Sequence, residues 1–313
     1  MGLLARRAAP PTPAPPKLAS AATPPPAATG RAAVAGTSLA PEGASIAPSR
    51  DEASKISSLR ALLSSEPPCA HMPLDDACLM RYLRARSMDV DKAAAMLRAT
   101  IAWRHSFGAD SIVDRLELVR TEGRTGKCFV APFVDREGRT VLILRPRMEN
   151  TRSYEGNIVN LVYTLERAVA SMRAGGPTKL FLFLDFKGYS MFNAPPMKTS
   201  QETLHILQNH YPERLGKAVL LDAPWLFSGA FRALQPFIDP VTREKISFLS
   251  TTHAQHVEQL GAMVDRAVVE TDLGGLLTKP HFDEAAYFAP ARDPLQARAR
   301  APAPASGAQP GRR

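Results

Sequence analysis

The chain has 313 residues, a net charge of +9, 28 prolines and three cysteines. That length admits two ordinary domains or one large domain with tails, and the placement of proline and charge favours the second. No apolar run approaches the roughly 18 residues that span a bilayer, and no C-x-x-C spacing supports a disulfide framework or a zinc site.

Residues 1–50 hold ten of the prolines and one acid, Glu42, while the last 23 residues hold four more prolines and five arginines. Each of these ends carries +4, which leaves +1 for residues 51–290. A nucleic-acid binder concentrates Lys and Arg on a folded face, so no nucleic-acid partner is expected. The odd thiol among Cys69, Cys78 and Cys128 fits a reducing, cytoplasmic setting. The Ala-, Pro-, Ser- and Arg-rich first fifty residues have the composition of either a transit peptide to a plastid or other organelle or a disordered tail. Met1-Gly2 lacks the Ser or Thr that myristoylation wants at the sixth position, which is Arg6.

Helical periodicity begins near Ser54, with Leu59, Leu62 and Leu63 on one face. A second helix follows Asp75-Asp76, and a third opens at Asp89, a plausible N-cap, carrying Ala94, Leu97 and Ile101. From Lys127 the period changes: "KCFVAPFV" and "TVLILRPR" flank the turn Asp135 to Arg139, a hairpin pattern with Gly138 available for positive φ. Ile158, Leu161, Val162, Leu165, Val169 and Met172 then form one helical stripe that stops at Gly175-Gly176-Pro177. "KLFLFLD", ending at Asp185, reads as a strand buried on both faces. Thr199 and Glu202 match a capping box opening the next helix. Ala218 to Asp222 is a second buried strand, Phe227 to Ile238 a helix and Ile246 to Leu249 a third strand, so an α/β fold with a mostly parallel sheet is expected.

Motifs for catalysis are thin. "GRTGKC", Gly123 to Cys128, departs from a phosphate-binding loop in glycine spacing, in Cys128 and in the strand that follows. His253 and His256 have no third ligand at metal spacing, and there is no G-x-S-x-G elbow, so neither a metal nor a cofactor is expected. Asp185 and Asp222 end buried strands where open α/β sheets place their sites, which admits a Mg²⁺-dependent hydrolase. The plain alternative is that both aspartates accept backbone N–H bonds in the following turns. Glu213 stands before the second strand and Lys245 before the third, so an edge salt bridge between them is expected if the strands are neighbours.

Spaced motifs in order then carry a resemblance. "LMRYLRARSMDVDKAAAML" with Trp103-Arg104, "FLDFKGYS", "YPERLGKAVLLDAPWLFSGAF", "PFIDPVTREKISFLS" and "LGG" at Leu273 to Gly275 resemble the Sec14-like, CRAL-TRIO lipid-binding and lipid-transfer family. The resemblance implies a helical N-terminal unit over 51–122 and a lipid-binding α/β domain over 123–280, and the Pro- and Arg-rich composition reads 281–313 as a largely disordered segment. It implies an apolar pocket floored by the sheet and closed by a gate helix carrying Trp225, Phe227, Phe231, Leu234, Phe237 and Ile238, with Leu180 and Leu182 lining the pocket.

It further implies a phosphatidylinositol headgroup site at Arg86, Glu213, Thr242 and Lys245, transient contact with a membrane surface, no catalysis and a monomeric state. A carrier of a neutral sterol- or tocopherol-like molecule is the alternative. Leu180 and Leu182 replace the Ser and Thr of choline-lipid exchangers, and the Pro usual before "LGG" is absent.

Overall fold

In the computed structural model, residues 48–190, 192–224, 231 and 240–300 are described. Helix α1 spans Arg50–Leu62 and opens on a full capping box: Glu52 N donates to Ser49 Oγ at 3.2 Å, and Ser49 N donates to the Glu52 carboxylate at 2.9 Å. Asp75 caps α2, Asp76–Ala85, and Asp89 caps α3, Val90–Phe107. Gly108, at φ 77°, ends α3 in the left-handed conformation that glycine supplies cheaply. Ile56, Leu59, Leu63, Leu79, Leu83, Leu97 and Ile101 form a core of their own. Leu62, expected on that face, is 40% exposed, and Ile56, one turn before Leu59, fills the stripe.

After α4, Leu116–Gly123, comes the hairpin of β1, Cys128–Val134, and β2, Thr140–Leu144. Asp135 Oδ1 accepts from the N–H groups of Glu137 and Arg139 at 3.0 and 2.7 Å, and Gly138 takes φ 81°. Helix α5, Tyr154–Ala170, leads to β3, Leu180–Asp185; α6, Met197–His210, leads to β4, Leu215–Leu221; β5 is Ile246–Leu249. The sheet order is β1-β2-β3-β4-β5, antiparallel only between β1 and β2. Each parallel connection steps to the next strand in one direction, and right-handed crossovers set α5 and α6 on one face, where Ile206 joins the α5 residues in one core cluster.

The pleat divides the strands accordingly. Val141, Ile143, Phe181, Phe183, Val219 and Leu221 pack with Leu260, Val264, Val269 and Leu273 on one side. On the other, Leu142 and Leu180 lie beneath α5 with Val159, Val162 and Leu165. Further along that side, Ala218 and Leu220 are buried with Phe186, while Leu182, Leu184 and Ile246 are only partly covered.

Two expectations are corrected. Helix α6 starts two residues before Thr199, behind Pro196 with φ −54°, and Thr199 is 4% exposed inside the first turn, so it is not the cap. Proline pre-sets the entry, and Thr199 Oγ1 turns inward without a hydrogen bond. The start of the C-terminal segment is folded too. Helices Glu284–Tyr287 and Pro294–Arg300 seat Phe288 and Leu295, each 2% exposed, in the core under α5. Arg167 donates to Tyr287 O at 2.7 Å and to Arg292 O at 3.0 Å, and Tyr163 bonds Asp293. A few apolar anchors outweigh the Pro- and Arg-rich composition around them.

Candidate functional site

The half of the sheet face not covered by α5 is apolar and incompletely covered. Leu182 and Leu184 on β3 and Ile246 on β5 are half-buried, and Phe248 is 47% exposed. The proposed gate segment runs alongside in sequence; Trp225, Phe227, Leu234, Phe237 and Ile238 lie outside the described residues. Phe231 is described, and its ring meets that of Phe248 edge-on at 5.2 Å between centroids. Leu180 is 3% exposed within the α5 core, whereas Leu182 reaches both that core and the smaller cluster beyond it.

The turn before β4 is held on both sides of Glu213. Tyr211 Oη donates to Glu166 Oε1 at 2.6 Å, and Glu166 is in turn bound by Arg104 at 2.8 and 3.0 Å. Arg214 donates from Nη1 to Thr178 O at 2.7 Å, and its own carbonyl accepts Leu180 N at 2.6 Å. Between these anchors Glu213 sits at φ 58°, a left-handed conformation that costs a non-glycine residue on the order of 1 kcal/mol. Its half-buried carboxylate makes no ion pair among the described residues.

The expected salt bridge does not form. Ala218 pairs with Ile246 and its N–H donates to Lys245 O at 2.9 Å, so the register sets Lys245 level with Lys217 and not with Glu213. Lys245 N donates to Thr242 O at 3.1 Å, which ties those two residues into one turn at the end of helix Pro240–Glu244. Arg86 stands at the C-cap of α2, followed by Ser87 and Met88 at φ 52° and 63°, and its Nη1 donates to Ala85 O at 3.0 Å. Thr242 and Lys245 are thus brought together, while Arg86 spends Nη1 on Ala85 O and Glu213 lies in the separate turn before β4.

Asp185 and Asp222 are engaged differently from a metal pair. Asp185, 0% exposed, faces Arg147 at 2.9 Å and Arg145 at 3.7 Å, and its Oδ1 accepts Lys187 N at 3.0 Å. Burial pushes its carboxyl up, against the pull of Arg147. Arg145 also reaches Glu270 at 2.5 Å, and Arg147 and Lys187 both reach Asp272. Asp222 accepts from Thr251 N at 2.9 Å, Thr251 Oγ1 at 2.5 Å and Ser250 Oγ at 2.9 Å. Burial opposes its charge, yet the Thr251 and Ser250 bonds prevail and hold the carboxyl below the ordinary aspartate value. Among the described residues no cluster of three metal-ligating side chains occurs. His253 and His256 meet edge-on at 5.3 Å between centroids, and His256 Nδ1 accepts Ser250 N at 3.0 Å.

His210, which sequence reasoning did not single out, links the helical unit to this turn. Its ring stacks on Trp103 at 4.2 Å and 6°, and Thr100 Oγ1 lies 3.2 Å from Nδ1. Tyr82 Oη donates to His210 O at 3.3 Å. Burial holds the imidazole down at about 4, and His205 and Arg104 act in the same direction. A base depressed in the fold contributes stability that is present above its unfolded value of about 6.5 and is lost as pH falls through about 4. A shift of that size corresponds to about 3 kcal/mol at full loss, less what the Trp103 face returns to the cation. Urea midpoints measured between pH 6.5 and 4 are expected to fall more steeply for the native chain than for His210→Asn; parallel slopes would overturn this.

Sheet order and crossover pattern define a mostly parallel α/β fold with flanking helices and a helical N-terminal unit, and comparison with known proteins agrees. The crystal structure of Sfh5 superimposes with a TM-score of 0.58 at 14% identity, covering 76% of this chain and 96% of that one, a likeness of fold. The CRAL/TRIO domain model matches residues 124–275, and the CRAL/TRIO N-terminal domain model matches residues 55–99.

A SEC14 cytosolic factor of Candida glabrata is 32% identical over 234 residues, 68% of this chain and 74% of the relative. The phosphatidylinositol transfer protein PDR17 of Saccharomyces cerevisiae is 32% identical over 61% of this chain and 57% of its own length. A CRAL-TRIO domain-containing protein of Schizosaccharomyces pombe is 36% identical over 66% of this chain but only 19% of its own length. The chain belongs to the CRAL/TRIO family.

Proposed function

We propose that the chain binds a phospholipid in an apolar pocket over β3 to β5 and moves or presents it between membranes, with phosphatidylinositol as the headgroup read. The observation that carries this is the pairing of a partly uncovered aliphatic sheet face with a Glu213 in a left-handed backbone conformation that makes no ion pair among the described residues. Relatives named as a phosphatidylinositol transfer protein and as SEC14 cytosolic factors support it.

Magnitudes assign the parts. A diacyl lipid exposes roughly 30 methylenes on leaving a bilayer, a cost near 24 kcal/mol at about 0.8 each, which only an apolar enclosure offsets. One charge-assisted bond to the headgroup adds about 1.5–3 kcal/mol, a ten- to hundredfold preference. In this reading Lys245 and Arg86 meet the phosphate, Glu213 and Thr242 bond inositol hydroxyls, and the segment around Phe231 acts as the gate. The role is non-enzymatic and monomeric. The protein acts peripherally at membranes, and no described helix is long and apolar enough to cross one.

The test is transfer of labelled phosphatidylinositol between vesicles. Glu213→Ala and Lys245→Ala are each expected to lower it about ten- to a hundredfold, and undiminished transfer would sink the headgroup assignment. Native mass spectrometry of the purified protein should show a phospholipid mass; a neutral sterol-like mass instead would establish the alternative carrier.

A further inference from the structure

A second site stands apart from these residues. A cleft of about 550 Å³ opens between α2, the C-terminal end of α5, the turn before β4 and the helix Pro294–Arg300. Four arginines line it against two acids, and both acids are already engaged. Glu166 is held by Arg104 and Tyr211, and Asp75 Oδ1 accepts Cys78 N at 2.7 Å as the cap of α2. Arg81, Arg214 and Arg298 make no ion pair among the described residues, whereas Arg104 has Glu166 and Asp110. None of Arg86, Glu213, Thr242 and Lys245 lines this cleft.

Arg214 is the telling member. Its guanidinium is half-buried and spends Nη1 on Thr178 O and Met172 Sδ, at 2.7 and 3.6 Å, and among the described residues its other donors have no hydrogen-bond partner. Burial lowers it to about 10, and the positive charge of Arg81 adds to that effect. Two cations held together in a partly desolvated place are costly unless an anion joins them. A guanidinium fork matches an oxyanion bidentately, and 550 Å³ lies within the range of small-ligand pockets. Val169 and Met172 add apolar surface to its lining.

We propose that this cleft binds a phosphate group, gripped by Arg81, Arg214 and Arg298, whether carried by a free small molecule with an apolar portion or by a lipid headgroup. The assignment goes beyond the transfer reading and does not rest on it.

The test is calorimetric titration of the full chain with inorganic phosphate at constant ionic strength. Saturable 1:1 binding is expected, weakened at least about tenfold by Arg81→Gln and by Arg298→Gln. Arg298 is exposed, so its variant leaves the fold intact, and Lys279→Gln, an exposed cation elsewhere, should bind as the native chain does. Absence of saturable heat, or equal binding by the Arg81 and Arg298 variants, would overturn the site. Repeating phosphatidylinositol transfer with saturating phosphate, for the native chain and for Arg298→Gln, separates the sources: suppression that the Arg298 variant loses assigns the cleft to a headgroup, and suppression that is absent or equal in both assigns it to a free phosphate compound. Phosphate binding by a chain that transfers no lipid would leave this site standing and remove only the transfer reading.

Discussion

Glu166→Ala is expected to cost about 3–5 kcal/mol, because it removes one partner of a buried ion cluster and leaves the other charged. Glu166 and Arg104 have side chains 5% and 3% exposed, joined through two N–H donors at 2.8 and 3.0 Å. Burial works against the Arg104 charge, but Glu166 outweighs it and holds the group above its ordinary value. Without Glu166, Arg104 keeps only Asp110, at 2.5 Å, and the buried Tyr211 hydroxyl loses its acceptor. At about 2–4 °C per kcal/mol for a domain of this size, the melting temperature should fall roughly 10 °C. Glu166→Gln, which keeps an acceptor and the shape, should fall by less. A loss below about 1 kcal/mol for the alanine variant would mean that solvent reaches the cluster. Because this cluster ties α3 to α5 and to the turn carrying Glu213, the surviving folded fraction should also transfer lipid poorly.

The same turn shows what the sequence discloses and what it hides. The strands were legible because each is an apolar run bounded by polar residues, and the layer carrying Leu260, Val264, Val269 and Leu273 covers Phe181, Phe183 and Val219 completely. The caps at Asp75 and Asp89 were legible because capping is local chemistry. Thr199 misled because Thr-x-x-Glu is equally local, and the Pro196 that fixes the start lies outside the pattern. Glu213 was identifiable as a candidate, but its left-handed backbone was not, since nothing in "YPER" demands positive φ and the anchors are Glu166 and Thr178. Arg81, Arg214 and Arg298 come together only through tertiary packing, so no spacing rule could join them.

The largest single-residue effect is expected at the second glycine of "LGG". Gly275 lies where residues 273–277 cross back over 266–271. Its N–H donates to Glu270 O at 2.9 Å, Leu276 N donates to Arg266 O at 2.7 Å and Leu277 N donates to Val269 O at 2.9 Å. A Cβ there would stand 1.9 Å from Val269 O and 2.3 Å from its carbonyl carbon, backbone atoms that cannot rotate aside. Gly275→Ala must therefore part the two segments, with the overpacking cost of about 1–3 kcal/mol or more and about 1 kcal/mol for each crossing hydrogen bond lost.

The damage extends further, because Val269 and Leu273 are both 0% exposed in the core beneath the sheet and Glu270 holds Arg145. Gly274→Ala is the control: its φ of 81° is strained for alanine at about 1–2 kcal/mol, but its nearest neighbour is the flexible tip of Leu260 at 3.1 Å. Urea denaturation should rank Gly275→Ala well below Gly274→Ala, and the reverse order would show that backbone conformation, and not the close crossing, requires the glycine pair.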